Sequence, residues 1–350
     1  MTARVTFGMI VLNGAPFTAY NLRALYPFAH QIIVVEGACP AAAAQATPDG
    51  HSTDGTREVL RQFQHEQDPE EKLIIVTAED EGYPDGFWPG EKDEMSRAYA
   101  RRATGNLLWQ VDADEFYQPE DMVTVLRRLE QDPELAAVTF NQITFWGDLA
   151  TRTDGFFLRR HANPYRRLFR WGRGYTYAAH RPPTVLDAQG RDLNHGKVLS
   201  GTSLAREGIF LYHYSLLFPR QVMDKTSYYA AAHLSHDPSL AAWGEQIAHE
   251  LVNPFRVHNC TQWISWLERF SGNHPPEVQR MWADVLTGQT GVLARPMDDA
   301  HRLMGRPWFR LCRFLLRAAA AADATQYGAR RWRAQRRLLG RGKPSAHLPA

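Results

Sequence analysis

Leu107-Leu108-Trp109-Gln110-Val111-Asp112-Ala113-Asp114-Glu115-Phe116-Tyr117 is the stretch on which the reading of this chain turns. An apolar run of strand length ends in three carboxylates within four residues. Asp-x-Asp alone arises about once by chance in a chain this long. Its place at the end of a buried strand gives this one weight. In open α/β sheets, ligands collect at the carboxyl ends of the strands. The acids are therefore expected at a metal or phosphate site, with a solvated acidic turn as the plain alternative. Asp112 and Asp114 stand two apart and would share a face of an extended strand.

The flanking sequence supplies the sheet. Val5 to Leu12 is a short apolar run, and Gln31-Ile32-Ile33-Val34-Val35 is β-branched and apolar on both faces, as in parallel sheets covered by helices. Lys72 to Thr77 is a third strand. Helical spacing follows Pro16 as far as Tyr26, and recurs over 57–64 and 91–103. This alternation predicts right-handed βαβ units and an α/β fold with a Rossmann-like, mostly parallel central sheet and flanking helices. Beyond the acids the pattern predicts a helix over 119–130 and one strand over 135–145. Short strands are expected at 156–160 and 166–171, a last strand at 209–214 and a helix over 219–234. From about 240 onward the chain reads as helical, ending in 302–339. The domain expectation is a catalytic unit over 1–235, nucleotide-binding to about 117 and acceptor-binding from about 118, with a helical extension over 236–350.

The 350 residues are 44% hydrophobic and 22% charged, a globular composition with room for a large core. Cys39, Cys260 and Cys312 are scattered, which argues against a disulfide framework or a cysteine zinc site and fits a reducing compartment. No signal-peptide layout and no apolar run of about 20 residues occurs, so a cytoplasmic protein without a membrane span is expected. Charge is uneven. Residues 301–350 hold twelve Lys and Arg against one acid, Asp323. With the whole chain at +2 and this tail at +11, the first 300 residues carry −9. The tail also interleaves Leu303, Phe309, Leu311, Phe314, Leu315 and Leu316 with arginines at three- and four-residue intervals. A helix of that kind can lie on an anionic membrane surface, such as the inner membrane face, or pack on the acidic body with a solvated arginine side. No nucleic-acid module is recognisable.

Four features in order resemble the nucleotide-sugar-dependent glycosyltransferases of the A-type fold, most closely the family 2-like group. The first strand leads into Asn13-Gly14-Ala15-Pro16-Phe17. The second ends in an acid, Val34-Val35-Glu36-Gly37. Ser52-Thr53-Asp54-Gly55-Thr56 opens a helix, and Val111-Asp112-Ala113-Asp114-Glu115 follows. The resemblance covers about residues 4–145. It departs from the family at Gly14, where Glu is usual, and at Glu36, where Asp is usual.

The resemblance implies a donor that is a nucleoside-diphosphate sugar, with UDP-sugar placed first, and an acceptor that is a carbohydrate or lipid-linked sugar. It implies Mn²⁺ or Mg²⁺, hard ions that take carboxylate, water and phosphate oxygens. Asp114 would bind the metal directly, and Asp112 the nucleotide and metal. His213, on a late apolar strand, would be a further ligand. Glu115 would point elsewhere. Glu36 and Asp54 would line the nucleoside pocket, while Lys92, Arg97 and Lys225 would approach the diphosphate. Asp54 also suits plain helix capping, and each lysine or arginine a solvated face. For the catalytic base, Asp148 is the first candidate, with Asp154, Asp187 and Glu207 as rivals and His180 as a substitute for a carboxylate. Phe145 and Trp146 could stack on a sugar or belong to the core. A sugar nucleotidyltransferase shares this sheet type, but the Gly-rich, Arg-containing loop it needs after the first strand is missing from Asn13-Gly14-Ala15-Pro16. An inactive relative binding a partner is the non-enzyme alternative.

Overall fold

The computed structural model describes residues 2–90, 92–160, 165–232, 239–258 and 263–340. Cys260, Glu91, residues 233–234 and residues 341–350, which enter the expectations above, lie outside the described residues.

The first third follows the sequence pattern closely. Strand β1 (Val5–Val11), helix α1 (Phe17–Leu25), β2 (Ala29–Glu36), α2 (Thr56–Glu66), β3 (Leu73–Val76), α3 (Lys92–Arg102) and β4 (Leu107–Asp112) alternate in order. All four strands run parallel, in the order β4-β1-β2-β3. Alternate residues feed opposite cores. Phe7, Met9, Ile32, Val34, Trp109 and Val111 pack to one side, and Ile33, Val35 and Leu108 to the other with Met95 and Tyr99 of α3. Tyr99 lies so close to β1 that a Cβ on Gly8 would sit 2.4 Å from its ring, so that strand position admits only glycine without a shift.

A short β5 (Glu115–Phe116) and α4 (Pro119–Gln131) come next. The expected single strand over 135–145 is two strands. β6 (Leu135–Phe140) joins the first sheet, and β7 (Gln142–Trp146) joins another. β8 (Asp148–Gly155) pairs antiparallel with β7. Residues 156–160, expected as a strand, form the short helix α5 (Phe156–Arg160). β9 (Tyr165–Arg170) then inserts antiparallel between β4 and β6. β10 (Thr176–His180) and β11 (Pro183–Leu186) make a separate hairpin, and β12 (Lys197–Leu199) extends the first sheet beside β6. The seven-stranded sheet thus runs β12-β6-β9-β4-β1-β2-β3, parallel except for β9.

Helix α6 (Gly201–Arg206) precedes β13 (Leu211–Leu216), and α7 (Pro219–Ala231) and α8 (Leu240–His249) follow. β13 is not the last strand. β14 (Ser265–Arg269) lies in the region expected to be wholly helical and pairs with β8. The second sheet runs β14-β8-β7-β13-β5. Helices α9 (Pro276–Leu286), α10 (Asp298–Gly305) and α11 (Pro307–Gly340) complete the chain, so the basic segment is two helices broken before Pro307. The fold class is the expected one, mixed α/β with a largely parallel central sheet, flanking helices and a helical C-terminal region.

Candidate active site

A cavity of about 950 Å³ opens at the carboxyl ends of β1 and β4, bounded by β13, α7 and the end of β10. β4 is buried through Val111, and Asp112 is where it emerges. The next two residues turn back, and β5 pairs antiparallel with β13, setting Glu115 opposite His213. Asn21 of α1 clamps this turn, its amide donating to the carbonyls of Ala113 (3.0 Å) and Glu115 (2.7 Å). Tyr214 N donates to the Asp114 carbonyl at 2.9 Å. The pairing places His213 Nε2 3.6 Å from Asp114 Oδ1. Gln221 of α7 donates to the other oxygen, Oδ2, at 3.0 Å. His213 Nδ1 is buried with no hydrogen-bond partner among the described residues.

The three acids separate by environment. Glu115 is fully buried and held by the fork of Arg167 from β9, with Nε donating to Oε2 at 2.9 Å and Nη2 to Oε1. The same Nη2 reaches Asp112 Oδ2 at 3.3 Å. Burial opposes the charge on Arg167, but Glu115 and Asp112 outweigh it and hold the guanidinium well above its ordinary pKa. Burial likewise opposes the charge on Asp112. Arg167, and after it Lys92, overcome it, so its carboxyl lies well below the usual range. At Asp114 burial is outweighed by His213 and Lys225, and the pKa is lowered. Asp112 and Asp114 are anions at neutral pH.

Positive groups face them. Lys92, Arg181 and Lys225 line the same cavity. Arg181 and Lys225 approach the Tyr229 ring to 5.5 and 6.0 Å. Burial raises the Tyr229 hydroxyl, yet Lys225, Arg181 and Lys92 bring it below its ordinary value, which reports a positive potential there. His180 also lines the cavity, its Nδ1 2.9 Å from Ser96 Oγ. Burial and the neighbouring Lys92 push it down to about 3, so it is a neutral imidazole.

Of the residues singled out in the sequence, Asp112, Asp114, His213, Lys92, Lys225 and His180 line this one cavity. The others do not. Glu36 is fully buried and accepts from His51 Nδ1 and Ser52 N, both at 2.8 Å, so it fixes the 51–52 turn instead of facing a nucleoside. Asp54 accepts from Ala15 N at 2.9 Å and from Thr56 N at 3.1 Å, tying the first loop to the start of α2. Arg97 points to Glu94 and the Ala178 carbonyl. Asp148 opens β8, outside the cavity lining, and meets His301 Nε2 at 2.9 Å. The rivals Asp154, Asp187 and Glu207 are paired with Arg159, Arg191 and Arg128, also outside the lining. Phe145 and Trp146 are core, Phe145 stacking on Tyr214 at 4.6 Å.

Sequence reasoning missed Arg167, Arg181, Gln221, Asp224 and Tyr229. Arg167 left no distinct trace, being one of three arginines, with Arg166 and Arg170, in the six residues of β9. Asp224 stands next to Lys225 and is, among the described residues, the one carboxylate in the cavity lining outside the Asp112–Asp114 turn. Burial raises its pKa against the pull of Arg220.

Among the described residues, no group of three or more His, Cys, Asp or Glu side chains forms a metal-holding cluster. Asp112 is turned toward Arg167, leaving Asp114 and His213 as a pair. That pair suits a hard divalent ion bound together with phosphates, which takes only one or two protein ligands. Their separation is too long for a hydrogen bond. Neighbouring ligands of an octahedral ion at about 2.1 Å stand about 3.0 Å apart, so the two side chains would draw together by about half an ångström to share one.

No protein-family profile matches the chain, and no curated protein matches it. Among solved structures it is similar to TarS of S. aureus, at 10% identity and a TM-score of 0.31, over 48% of this chain and 28% of that one. It is similar to the mannosyltransferase PcManGT of Pyrobaculum calidifontis in complex with GDP-Man and Mn²⁺, at 15% identity and a TM-score of 0.40, over 93% and 86%. It is also similar to glucosyl-3-phosphoglycerate synthase of Mycobacterium tuberculosis, at 14% identity and a TM-score of 0.28, over 41% and 44%. At these values the likenesses decide nothing about its chemistry.

Proposed function

We propose that the chain is a metal-dependent glycosyltransferase, A-type in fold and family 2-like, that moves a sugar from a nucleoside diphosphate to a carbohydrate or lipid-linked acceptor. UDP-sugar is the first donor to test, Mn²⁺ or Mg²⁺ the ion, and the cytoplasm the proposed location. The observation that carries the reading is the facing of the Asp114–His213 pair by Lys92, Arg181 and Lys225 within one cavity. A carboxylate–imidazole pair alone would suit a metal cation, and a cationic cluster alone an anion. Both together suit an ion and a diphosphate bound side by side.

Asp114 and His213 would hold the ion, and Asp112, fixed by Arg167, would contact the nucleotide. When bound, the ion supplies charge neutralisation for the leaving diphosphate. The chain's own cations share that task, with Lys92, Arg181 and Lys225 receiving the phosphate oxygens as the bond from the anomeric carbon to the diphosphate breaks. Asp224 replaces Asp148 as the proposed base. It takes the proton of the acceptor hydroxyl while that oxygen attacks the anomeric carbon, and its raised pKa suits the role.

UDP-, GDP- and dTDP-sugars, each incubated with the protein and Mn²⁺, test this. Slow hydrolysis of at least one donor, abolished by chelation, is expected. No release from any donor, together with no nucleoside-diphosphate binding, would sink the reading.

A further inference from the structure

We propose that one face of α11, carrying Trp308, Leu311, Phe314 and Leu315, docks the protein onto an anionic lipid bilayer. The inference goes beyond the transferase reading and does not depend on it. Helix α11 is fixed to the body along its other side. Phe309 and Ala320 are fully buried there, with Leu316 packed in the same cluster beside Trp266 and Leu267. Arg160 clamps Asp323 through Nε at 2.5 Å and Nη2 at 2.6 Å. Arg313 Nη1 donates to the Leu267 carbonyl at 3.2 Å, and Arg317 lies 3.4 Å from Glu268. The helix is therefore anchored, and its outward side is a presented surface.

That outward side is apolar. Trp308, Leu311, Phe314 and Leu315 are 49%, 61%, 68% and 58% exposed. At about 100° per residue they fall on the side of the helix opposite Phe309, Leu316 and Ala320. A contiguous exposed strip of this kind marks an interaction surface more than scattered single residues do.

Charge selects the occupant. Residues 307–340 contain eight arginines and one acid, and that acid, Asp323, is already paired with Arg160. Exposed Arg310 borders the strip. A symmetric pairing of two copies would set two such helices against each other with like charge. Arg313 and Arg317 are turned to the body, so an anionic bilayer would meet exposed Arg310 and the net positive charge of the helix at its headgroups and the apolar strip at its acyl boundary, with a tryptophan where interfacial helices favour one. No described helix is long and apolar enough to cross a membrane, so the contact is with the surface.

The 350-residue chain is sedimented with vesicles of phosphatidylcholine alone and of phosphatidylcholine and phosphatidylglycerol in equal parts. Binding to the anionic vesicles only, weakening with added salt, is expected. Leu311→Glu with Phe314→Glu, both on exposed positions, should weaken it about tenfold or more while leaving the thermal unfolding midpoint unchanged. No binding to anionic vesicles, equal binding to both kinds, or wild-type binding by the double variant would each overturn the proposal. So would a wild-type dimer in light scattering that the double variant converts to monomer, since a second copy would then be the occupant. Nucleoside-diphosphate binding is measured on the same preparations. Its loss would refute the transferase reading without touching this one.

Discussion

Replacing Arg167 with methionine tests the internal support of the Asp112–Glu115 turn. The arginine side chain is 9% exposed and the Glu115 side chain is wholly buried. Removing the fork leaves Glu115 as a buried carboxylate whose one charged partner is gone. Breaking such a pair from one side costs about 3–5 kcal/mol, much more than the intact pair contributes over an apolar replacement. Against a total stability of about 5–15 kcal/mol this is a large fraction. Asp112 also loses the cation that holds it. The companion variant, Arg167→Met with Glu115→Gln, removes the orphaned charge and should recover about 2 kcal/mol or more of the loss, so the two changes are strongly non-additive. Urea unfolding followed by tryptophan fluorescence gives the midpoint and slope for the parent, Arg167→Met, Glu115→Gln and the double variant. If Arg167→Met lies within about 0.5 kcal/mol of the parent, or the double variant equals the sum of the singles, the turn is not held as described.

Three other outcomes follow from the electrostatics. Burial pushes Asp121 up to about 6, with Glu120 adding to it, so the folded state binds this proton more tightly than the unfolded chain does. Its contribution is most favourable at low pH and is lost as pH rises from about 4 through 6. Asp121→Asn should therefore stabilise by about 1 kcal/mol at pH 7, allowing for solvent screening, and by almost nothing at pH 3; chemical unfolding at both values checks it. His180 and His258 are both pushed down to about 3 by burial, so between about 6.5 and 3 the unfolded chain takes up protons that the folded one refuses. Thermal midpoints should fall as pH drops through that window, and less steeply for His180→Gln. Lys225→Ala should weaken nucleoside-diphosphate binding about tenfold or more in calorimetry and leave binding of the bare nucleoside unchanged.

The sheet was legible where the chain is apolar on both faces. β1, β2 and β4 are buried between helices, and their sequences say so without help from alternation. The run over 135–145 was equally apolar but did not reveal that it changes sheets at Asn141, because both halves are buried and burial does not name a neighbour. Phe156-Phe157-Leu158-Arg159-Arg160 is too short for periodicity to separate strand from helix. β14, five residues among helices, escaped for the same reason. In the site, the acids stood at the end of β4 and His213 within the late apolar strand β13, where side chains are aimed by the sheet, and they could be named from position. Arg167 and Arg181 reach the site from β9 and the 180–183 turn, which are adjacent in space only through long-range pairing. Glu36, Asp54 and Asp148 were misplaced because a carboxylate's spelling does not show its partner. His51, the Ala15 amide and His301 are what they bind.

The central claim is that Asp114 and His213 hold a divalent ion against a diphosphate received by Lys92, Arg181 and Lys225. Titration calorimetry of UDP and GDP into the protein, with Mn²⁺ and with chelator, measures it directly. The account predicts binding of at least one nucleotide that depends on the ion and is lost in Asp114→Ala and in His213→Ala, with both variants folded. Nucleotide binding that is indifferent to the ion, or that survives in Asp114→Ala at parental strength, would contradict it.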